Sequence, residues 1–403
     1  MRLLHTSDWH IGVTTRGVSR AGDLACALDE LLELCGDFKP DLILHSGDLF
    51  HQPRPQVDEL ELAWSGLRRL AEHAPVVVIA GNHDSPQLFD FFSQMLGSAS
   101  KIQFVGYPKA PSAGGILKFP LRGGEMIKVA CMPFVHANRM LPGWDGSLGN
   151  RLIAYSDRIM RLQKAYAESL QKSYSAQRDI LIYAAHLFVD GASLSTSERS
   201  LHVSDTYATR ASAIPPVSYA AFGHIHKPQA LPGGAPGRYA GSLIPIDFGE
   251  ENDVKETVLV EALPGSAARL RQVPFRRGRK LLTLEGSKAA LEVQSAEDCL
   301  LRLRVHTSGA DPGLADWAAR AFPKAEIVEV CEVRAAAQAA AAARPAAVVE
   351  NLSLRDAFAA YALECGLGSD LVGLVGDLES LLDEEEVVPA LPELSALSAW
   401  TNR

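Results

Sequence analysis

The sequence predicts a layered α/β domain over residues 1–262, followed by a small α+β module and a helical tail. Three observations point there. Short, almost continuously apolar runs alternate with stretches of helical period. The character of the chain changes after residue 262. An alanine-rich, low-complexity stretch then separates this body from an acidic C-terminus.

Five runs read as strands buried on both faces: LLH (3–5), DLILH (41–45), PVVVIA (75–80), DILIYAA (179–185) and SYAAF (218–222). Between the first two, Leu24, Leu28, Leu31, Leu32 and Cys35 recur at helical spacing, and Leu60, Trp64, Leu67 and Leu70 do so before the third. The stretch 151–176 is also helical in composition. Pro- and Gly-rich pieces at 108–115 and 232–237 read as turns. The module, residues 266–334, opens on a basic run of Arg269, Arg271, Arg276, Arg277, Arg279 and Lys280. A strand (281–286), a helix (287–299), a strand (300–307), a helix (311–322) and a strand (325–333) follow. Residues 335–350 read as an Ala-rich linker ended by Pro345. Leu352, Leu354, Phe358 and Tyr361, then Leu371, Leu374, Leu378 and Leu381, mark two amphipathic helices within 351–403. Such a pair buries too little surface to fold alone and suits docking on a partner helix.

Composition narrows the class. Of 403 residues, 47% are hydrophobic and 22% charged, which excludes a disordered chain or a small disulfide scaffold. No apolar run approaches the ~18–20 residues of a membrane span. His5, Thr6, Ser7 and Asp8 arrive too early for a signal-peptide core, so a cytoplasmic protein is expected. The six cysteines are scattered without a C-x-x-C pair and read as reduced, apolar thiols. The net charge of −9 lies almost wholly in residues 351–403, which carry −8. An acidic tail suits a basic or apolar protein partner rather than nucleic acid. No G-x-x-x-x-G-K-[ST] occurs, so no P-loop nucleotide site is expected on this chain.

Each predicted strand is followed by side chains able to hold a metal. Asp8 and His10 follow the first, Asp48 the second, Asn82, His83 and Asp84 the third, His186 the fourth, and His224 and His226 the fifth. In α/β sheets the carboxyl ends of strands form the site edge. D-x-H and H-x-H on extended chain each place both side chains on one face. Carboxylate, amide and imidazole without thiolate suit two divalent ions such as manganese, iron or zinc. Two ions held about 3.5–4 Å apart can clamp a transferring phosphoryl group and activate water at neutral pH. One such ligand means little; five elements in order mean a site.

These motifs (D-W-H, G-D-L-F-H, G-N-H-D, a later single His, G-H-I-H) resemble those of the calcineurin-like metallophosphoesterase superfamily. H-L-F-V-D-G-A-S-L-S and R-Y-A-G-S-L-I-P-I-D-F-G-E resemble its bacterial DNA nuclease branch, whose members work with an SMC-like ATPase. The resemblance is close over the first 250 residues, looser over the α+β module and the L-S-L-R-D-A-F-A-A-Y helix, and weakest after about residue 366. It implies a four-layer α/β sandwich, a small α+β DNA-capping domain and a C-terminal helical, ATPase-binding segment. It implies one metal site from Asp8, His10, Asp48 and His226. A second comes from Asp48, Asn82, His186 and His224, with Asp48 bridging. Manganese is the implied metal, with Fe2+ or Zn2+ fitting the same ligands. His83 matches the catalytic histidine, Asp84 its orienting partner, and His51 a second active-site histidine found in some members. The implied activity is 3′ to 5′ duplex exonuclease and single-strand or hairpin endonuclease, in DNA repair and recombination. The implied assembly is a homodimer within a heterotetramer.

Arg16 and Arg20, in the loop after D-W-H, and Arg276 and Arg277 are candidate phosphate contacts. His5 and His45, inside strands, read as structural, and Asp84 reads equally as a turn or helix cap. Two other readings are an enzyme acting on a small phosphoester and a non-catalytic DNA-end tether. The modules after residue 262 argue against the first, and the filled ligand set against the second.

Overall fold

The structure, a computed structural model, describes residues 1–136, 155–172, 174–195, 197–198 and 208–334. The linker at 335–350 and the helical segment at 351–403 lie outside the described residues. In chain order the elements begin β1 (Arg2–Thr6), β2 (Thr14–Thr15), β3 (Val18–Ser19), α1 (Ala21–Phe38), β4 (Leu42–His45), α2 (Val57–His73), β5 (Val76–Ile79), α3 (Pro86–Leu96) and β6 (Ile102–Val105). Then come β7 (Ile116–Pro120), β8 (Met126–Met132), α4 (Tyr155–Lys172), β9 (Asp179–His186), β10 (Tyr219–Gly223), β11 (Gln229–Ala230), β12 (Gly237–Tyr239), β13 (Glu256–Glu261) and β14 (Arg269–Pro274). The small module supplies β15 (Lys280–Gly286), α5 (Lys288–Glu292), β16 (Cys299–Thr307), α6 (Leu314–Ala321) and β17 (Glu326–Arg334).

Two six-stranded sheets carry the body. The first runs β14-β13-β1-β4-β5-β6 and the second β11-β12-β10-β9-β8-β7. Strands β1, β4, β5 and β6 are mutually parallel, as are β8, β9, β10 and β12; β13 pairs antiparallel with both β1 and β14, and the edge strands β7 and β11 pair antiparallel with β8 and β12. The continuous apolar runs now have their reason. Successive residues of a strand face opposite ways. Leu3, Leu42, Leu44, Val77 and Ile79 of the first sheet meet Ile127, Val129, Ile180, Ile182, Tyr219 and Ala221 of the second in one core between the sheets. The alternate residues Leu4, Ile43, Val76 and Val78 pack outward against α1, α2 and α3. On the other side, Leu181, Tyr183, Ala220 and Phe222 pack outward against α4 through Ile159, Leu162, Tyr166 and Leu170. Helix, sheet, sheet, helix is the expected four-layer sandwich. Each fully buried leucine there contributes about 1.5–3 kcal/mol. Among the described residues, no helix is long and apolar enough to cross a membrane.

The module has its own core of Leu291, Leu301, Leu303, Val305, Trp317 and Phe322 under the sheet β15-β16-β17. The structure departs from expectation at two places. The basic run does not open the module: Arg269–Pro274 pairs residue by residue with β13 as the edge of the first sheet. Charged side chains on such an edge discourage further strand pairing. The helix expected over 287–299 is only Lys288–Glu292, capped by the Ser287 hydroxyl. Its apolar contribution is Leu291 alone, too little to hold a longer helix against the sheet. Residues 1–333 form one compact unit. Body and module meet through Phe248, Leu281 and Leu300, with the Arg302 guanidinium 4.5 Å from the Phe248 ring centroid.

Candidate metal centre

The carboxyl ends of β1, β4, β5, β9 and β10 converge, and the residues singled out in the sequence follow or end them. The loops after β1 and β4 are zipped by backbone bonds, Asp8 N–H to Gly47 O (2.9 Å), His10 N–H to Asp48 O (3.1 Å) and His51 N–H to Ile11 O (2.9 Å). The two sheets are pinned just beneath. His5, fully buried, bonds Ser46 Oγ of one loop (2.8 Å) and Tyr219 Oη of the other sheet (2.9 Å). Burial lowers its pKa to about 3, so it stays neutral, as a structural histidine should. His45 is held neutral for the same reason and packs edge-on to Trp9.

The backbone is bent at this edge. Asp8 (φ 50°), His10 (47°), Asp48 (55°) and His224 (97°) all occupy positive φ, a conformation that costs non-glycine residues energy. Close approach adds a second constraint. A Cβ on Gly47 would lie 2.0 Å from His186 Nδ1, and one on Gly81 2.1 Å from Asp48 Oδ1. Only glycine lets the three loops come this near.

Asp8, His10, Asp48 and His226, all buried, offer ligand atoms that lie within 4.8 Å of one another. His10 Nε2 faces His226 Nε2 at 3.0 Å and Asp48 Oδ2 at 3.6 Å. The same Asp48 oxygen lies 3.4 Å from His186 Nε2. His186 Nε2 is 3.0 Å, and His224 Nδ1 2.7 Å, from Asn82 Oδ1. Two groups of donors therefore share one carboxylate oxygen. His10 Nδ1 is buried without a hydrogen-bond partner in the described residues. Imidazole nitrogens turned toward each other and toward carboxylates suit a cation, and the oxygen–nitrogen donor set suits manganese, iron(II) or zinc.

The electrostatics agree. Burial pushes the Asp8 carboxyl up to about 6. Burial alone would lower His186, but the charge and hydrogen bond of Asp48, the Asp8 charge and the Ser46 carbonyl together outweigh it and raise the imidazole to about 9. Burial and then the neighbouring His226 hold His10 well below 6.5. The cluster keeps protons that bound cations would displace.

His83 sits beside these donors. Its backbone N–H donates to Asp48 Oδ1 (2.8 Å), its Nδ1–H donates to the carbonyl of His51 (2.7 Å), and its ring lies 4.7 Å from that of His10. His51 is brought in as well, with its ring 5.5 Å from those of His10 and His83. Of the two readings of Asp84, its hydrogen bonds fit the turn. Its carboxylate accepts the backbone N–H groups of Leu49 (3.1 Å), Phe50 (2.9 Å) and Gly81 (2.8 Å). It ties the β4 and β5 loops together, and orientation of the His83 ring falls to the His51 carbonyl. Burial, then Asp48, pushes Asp84 up to about 7.

The family model for calcineurin-like phosphoesterases matches residues 1–228. Curated relatives, each named as the SbcD subunit of the nuclease SbcCD, match as well. That of Bacillus subtilis is 30% identical over 306 residues, 73% of this chain and 75% of its own length. That of Escherichia coli K12 is 30% identical, covering 73% of each chain. That of Rhodobacter capsulatus is 29% identical, covering 74% of this chain and 76% of its own. The chain belongs to the calcineurin-like phosphoesterases, in the SbcD family. The fold is that of the calcineurin-like phosphoesterases.

The candidate phosphate contacts divide. Arg20 overturns its expectation: the side chain is 0% exposed, bonded to Asp23 (2.7 Å), Thr15 Oγ1 (3.1 Å) and the carbonyls of Pro245 (2.9 Å) and Arg279 (3.1 Å). It is a structural cation that no nucleic acid can reach. Arg16 is half-exposed and pairs with Glu329 of the module (3.0 Å). Arg276 is exposed, and Arg277 pairs at the surface with Glu33.

Three residues near the centre were given no role from sequence. Phe134, just after β8, stacks on His224 with ring centroids 5.9 Å apart. Glu250 and Lys255 form a buried pair (2.8 Å) behind His226. The only available signal was that Glu250 ends the R-Y-A-G-S-L-I-P-I-D-F-G-E run.

Proposed function

We propose that this chain is a metal-dependent nuclease subunit that hydrolyses DNA phosphodiesters through two divalent ions, manganese by preference. Asp8, His10, Asp48 and His226 would hold one ion, and Asp48, Asn82, His186 and His224 the other. The observation that carries this reading is the single Asp48 oxygen lying 3.6 Å from His10 Nε2 and 3.4 Å from His186 Nε2. When bound, such a pair of ions supplies an activated water and neutralises the phosphoryl oxygens.

The chain's own residues do the rest. Asp48 fixes both donor groups to one point. Asp84 locks the loops that carry Asp48 and Asn82. His83, its Nδ1–H committed to the His51 carbonyl, would contact the scissile phosphate through Nε2 and, as the doubly protonated imidazolium, give up its Nε2 proton to the leaving oxygen. His51 lies close enough to assist at the same phosphate. Residues 280–334 would cap the DNA, with Arg16, Arg276 and Arg277 at the surface as phosphate contacts. The acidic segment 351–403 would dock on an SMC-like ATPase in a cytoplasmic assembly built on a dimer of this chain. Expected substrates are duplex ends, cut 3′ to 5′, and single strands or hairpins, in break repair and recombination.

The test is digestion of linear duplex and circular single-stranded DNA with added Mn2+, with Asp48→Ala beside the wild type. Cleavage by the wild type alone supports the reading. Hydrolysis of a chromogenic phosphodiester with no DNA cleavage, even with the ATPase chain and ATP added, would replace it with a small-phosphoester enzyme.

A further inference from the structure

Behind His226, on the side away from His10, lies a buried acid–base group that the proposed reaction leaves unused. Glu250 is 0% exposed. Its Oε1 lies 3.2 Å from His226 Nδ1. Its Oε2 accepts the Ile246 N–H (3.0 Å) and the Lys255 ammonium (2.8 Å). Lys255 also donates to the His226 carbonyl (2.9 Å), so both the ring and the backbone of one residue are gripped by one ion pair. The Ser197 hydroxyl touches both His226 Nδ1 and Glu250 Oε1, and Glu198 Oε1 accepts the His226 N–H (3.0 Å).

A hydroxyl has one proton to give, and here it goes to the carboxylate, the better acceptor. His226 Nδ1 must then be the protonated nitrogen, because its neighbours, Oε1 and the hydroxyl oxygen, are both acceptors toward it. The ring's lone pair is left on Nε2, the atom 3.0 Å from His10 Nε2. The other histidines of the centre are held differently. His186 Nδ1 bonds the Ser46 carbonyl (2.8 Å), and His10 Nδ1 has no partner in the described residues.

We propose that Glu250 is a positioning residue for the ion half-site of Asp8, His10, Asp48 and His226. It selects the His226 tautomer, fixes the ring plane, and places a negative charge directly behind the ligand, which increases the basicity of Nε2. Carboxylates that orient metal-binding imidazoles in this way commonly carry ~10–100-fold in metal affinity. Lys255 keeps the buried carboxylate compensated, so the negative charge can sit there without a cation in the site. The inference rests on the two-ion reading above, but its first test does not.

That test is the nitrogen-15 spectrum of histidine-labelled, metal-free full-length protein, with His226 assigned by its loss in His226→Asn. Recorded at a pH above the point where the ring loses its second proton, Glu250 control predicts a neutral ring that keeps its proton on Nδ1. A ring protonated on Nε2 overturns it, with no variant required. The second test is Mn2+ binding to wild type and Glu250→Gln, with circular dichroism to verify the fold. The amide would turn an N–H toward the Ile246 N–H and Lys255 ammonium, or toward His226. We expect one of two Mn2+ sites to weaken about 10–100-fold and the other to stay within about twofold. Two sites unchanged in Glu250→Gln, or both weakened alike, would make Glu250 a core residue only. A wild type that binds no Mn2+ would remove the two-ion reading and leave the tautomer to decide the role of Glu250.

Discussion

Replacing His83 with glutamine separates chemistry from metal binding. The two hydrogen bonds that His83 makes at the centre differ in kind. Its backbone N–H holds Asp48 Oδ1, and any side chain preserves that bond. Its imidazole is held by the His51 carbonyl and is assigned to neither donor group around Asp48, although ligand atoms of His10, His51 and His83 also lie within 4.8 Å of one another. Glutamine has similar reach and can keep a hydrogen bond to that carbonyl, but it cannot exchange a proton. General acid catalysis of this kind contributes ~10²–10⁴-fold. At about 1.4 kcal/mol per decade, the barrier should rise by ~3–5 kcal/mol. The assay is single-turnover cleavage of an end-labelled duplex in saturating Mn2+, with Mn2+ content measured on the same preparation. The rate should fall at least a hundredfold while the ion content stays at the wild-type value. Loss of Mn2+ along with activity would refute the division of roles, and a rate within about threefold of wild type would refute the proton-transfer role.

Other consequences follow from the same geometry. Gly81→Ala forces a methyl to within 2.1 Å of Asp48 Oδ1, so cleavage should fall ~100-fold, the cost of about 1 Å of misplacement; unchanged cleavage would mean the loops relax freely. Asp23 accepts Arg20 Nε (2.7 Å) and Arg279 N–H (2.7 Å), and Asp23→Ala should cost about 3 kcal/mol in denaturant titration by stranding the buried Arg20; a loss under about 1 kcal/mol would show that water reaches the guanidinium. Burial alone would raise the Asp179 carboxyl, but bonds from Lys128, Ser175 N–H and Arg178 outweigh it, so its folded pKa lies below the unfolded value. Its contribution to stability is therefore present above about pH 4 and lost as pH falls through the folded pKa; Asp179→Asn should flatten melting temperature against pH below 4, and an unaltered acid slope would oppose this. Deleting residues 351–403 should abolish ATPase binding in pull-down and leave Mn2+-dependent nicking intact; retained binding would place the docking site elsewhere.

Much of the site was legible in the sequence because its information is local. A strand buried on both faces is a continuous apolar run, and the ligand follows where the run stops, as Asp48 follows LILHSG and His224 follows YAAFG. His5 and His45 could be set aside because they fall inside the runs. What could not be read depends on partners far along the chain. Arg20 looks like any loop arginine until Asp23, Pro245 and Arg279 close around it. The β14 strand looks like a linker because an exposed edge carries charge instead of apolar alternation, and only its pairing with β13 identifies it. Strands β6, β7 and β8 were passed over because no ligand motif marks their ends, so Phe134 went unnoticed. Trp64 shares the helical spacing of Leu67 and Leu70 yet is 44% exposed, since spacing says which residues share a stripe and not where the stripe ends.

Every role proposed for this centre depends on Asp48 joining two donor groups into one two-ion site. The direct measurement is the number of Mn2+ ions bound per chain in wild type and Asp48→Ala, by equilibrium dialysis with elemental analysis, on protein verified as folded by circular dichroism. The wild type should bind two ions, and the variant should lose tight binding at both sites. A single ion in the wild type, or two ions retained by Asp48→Ala, would contradict a shared carboxylate.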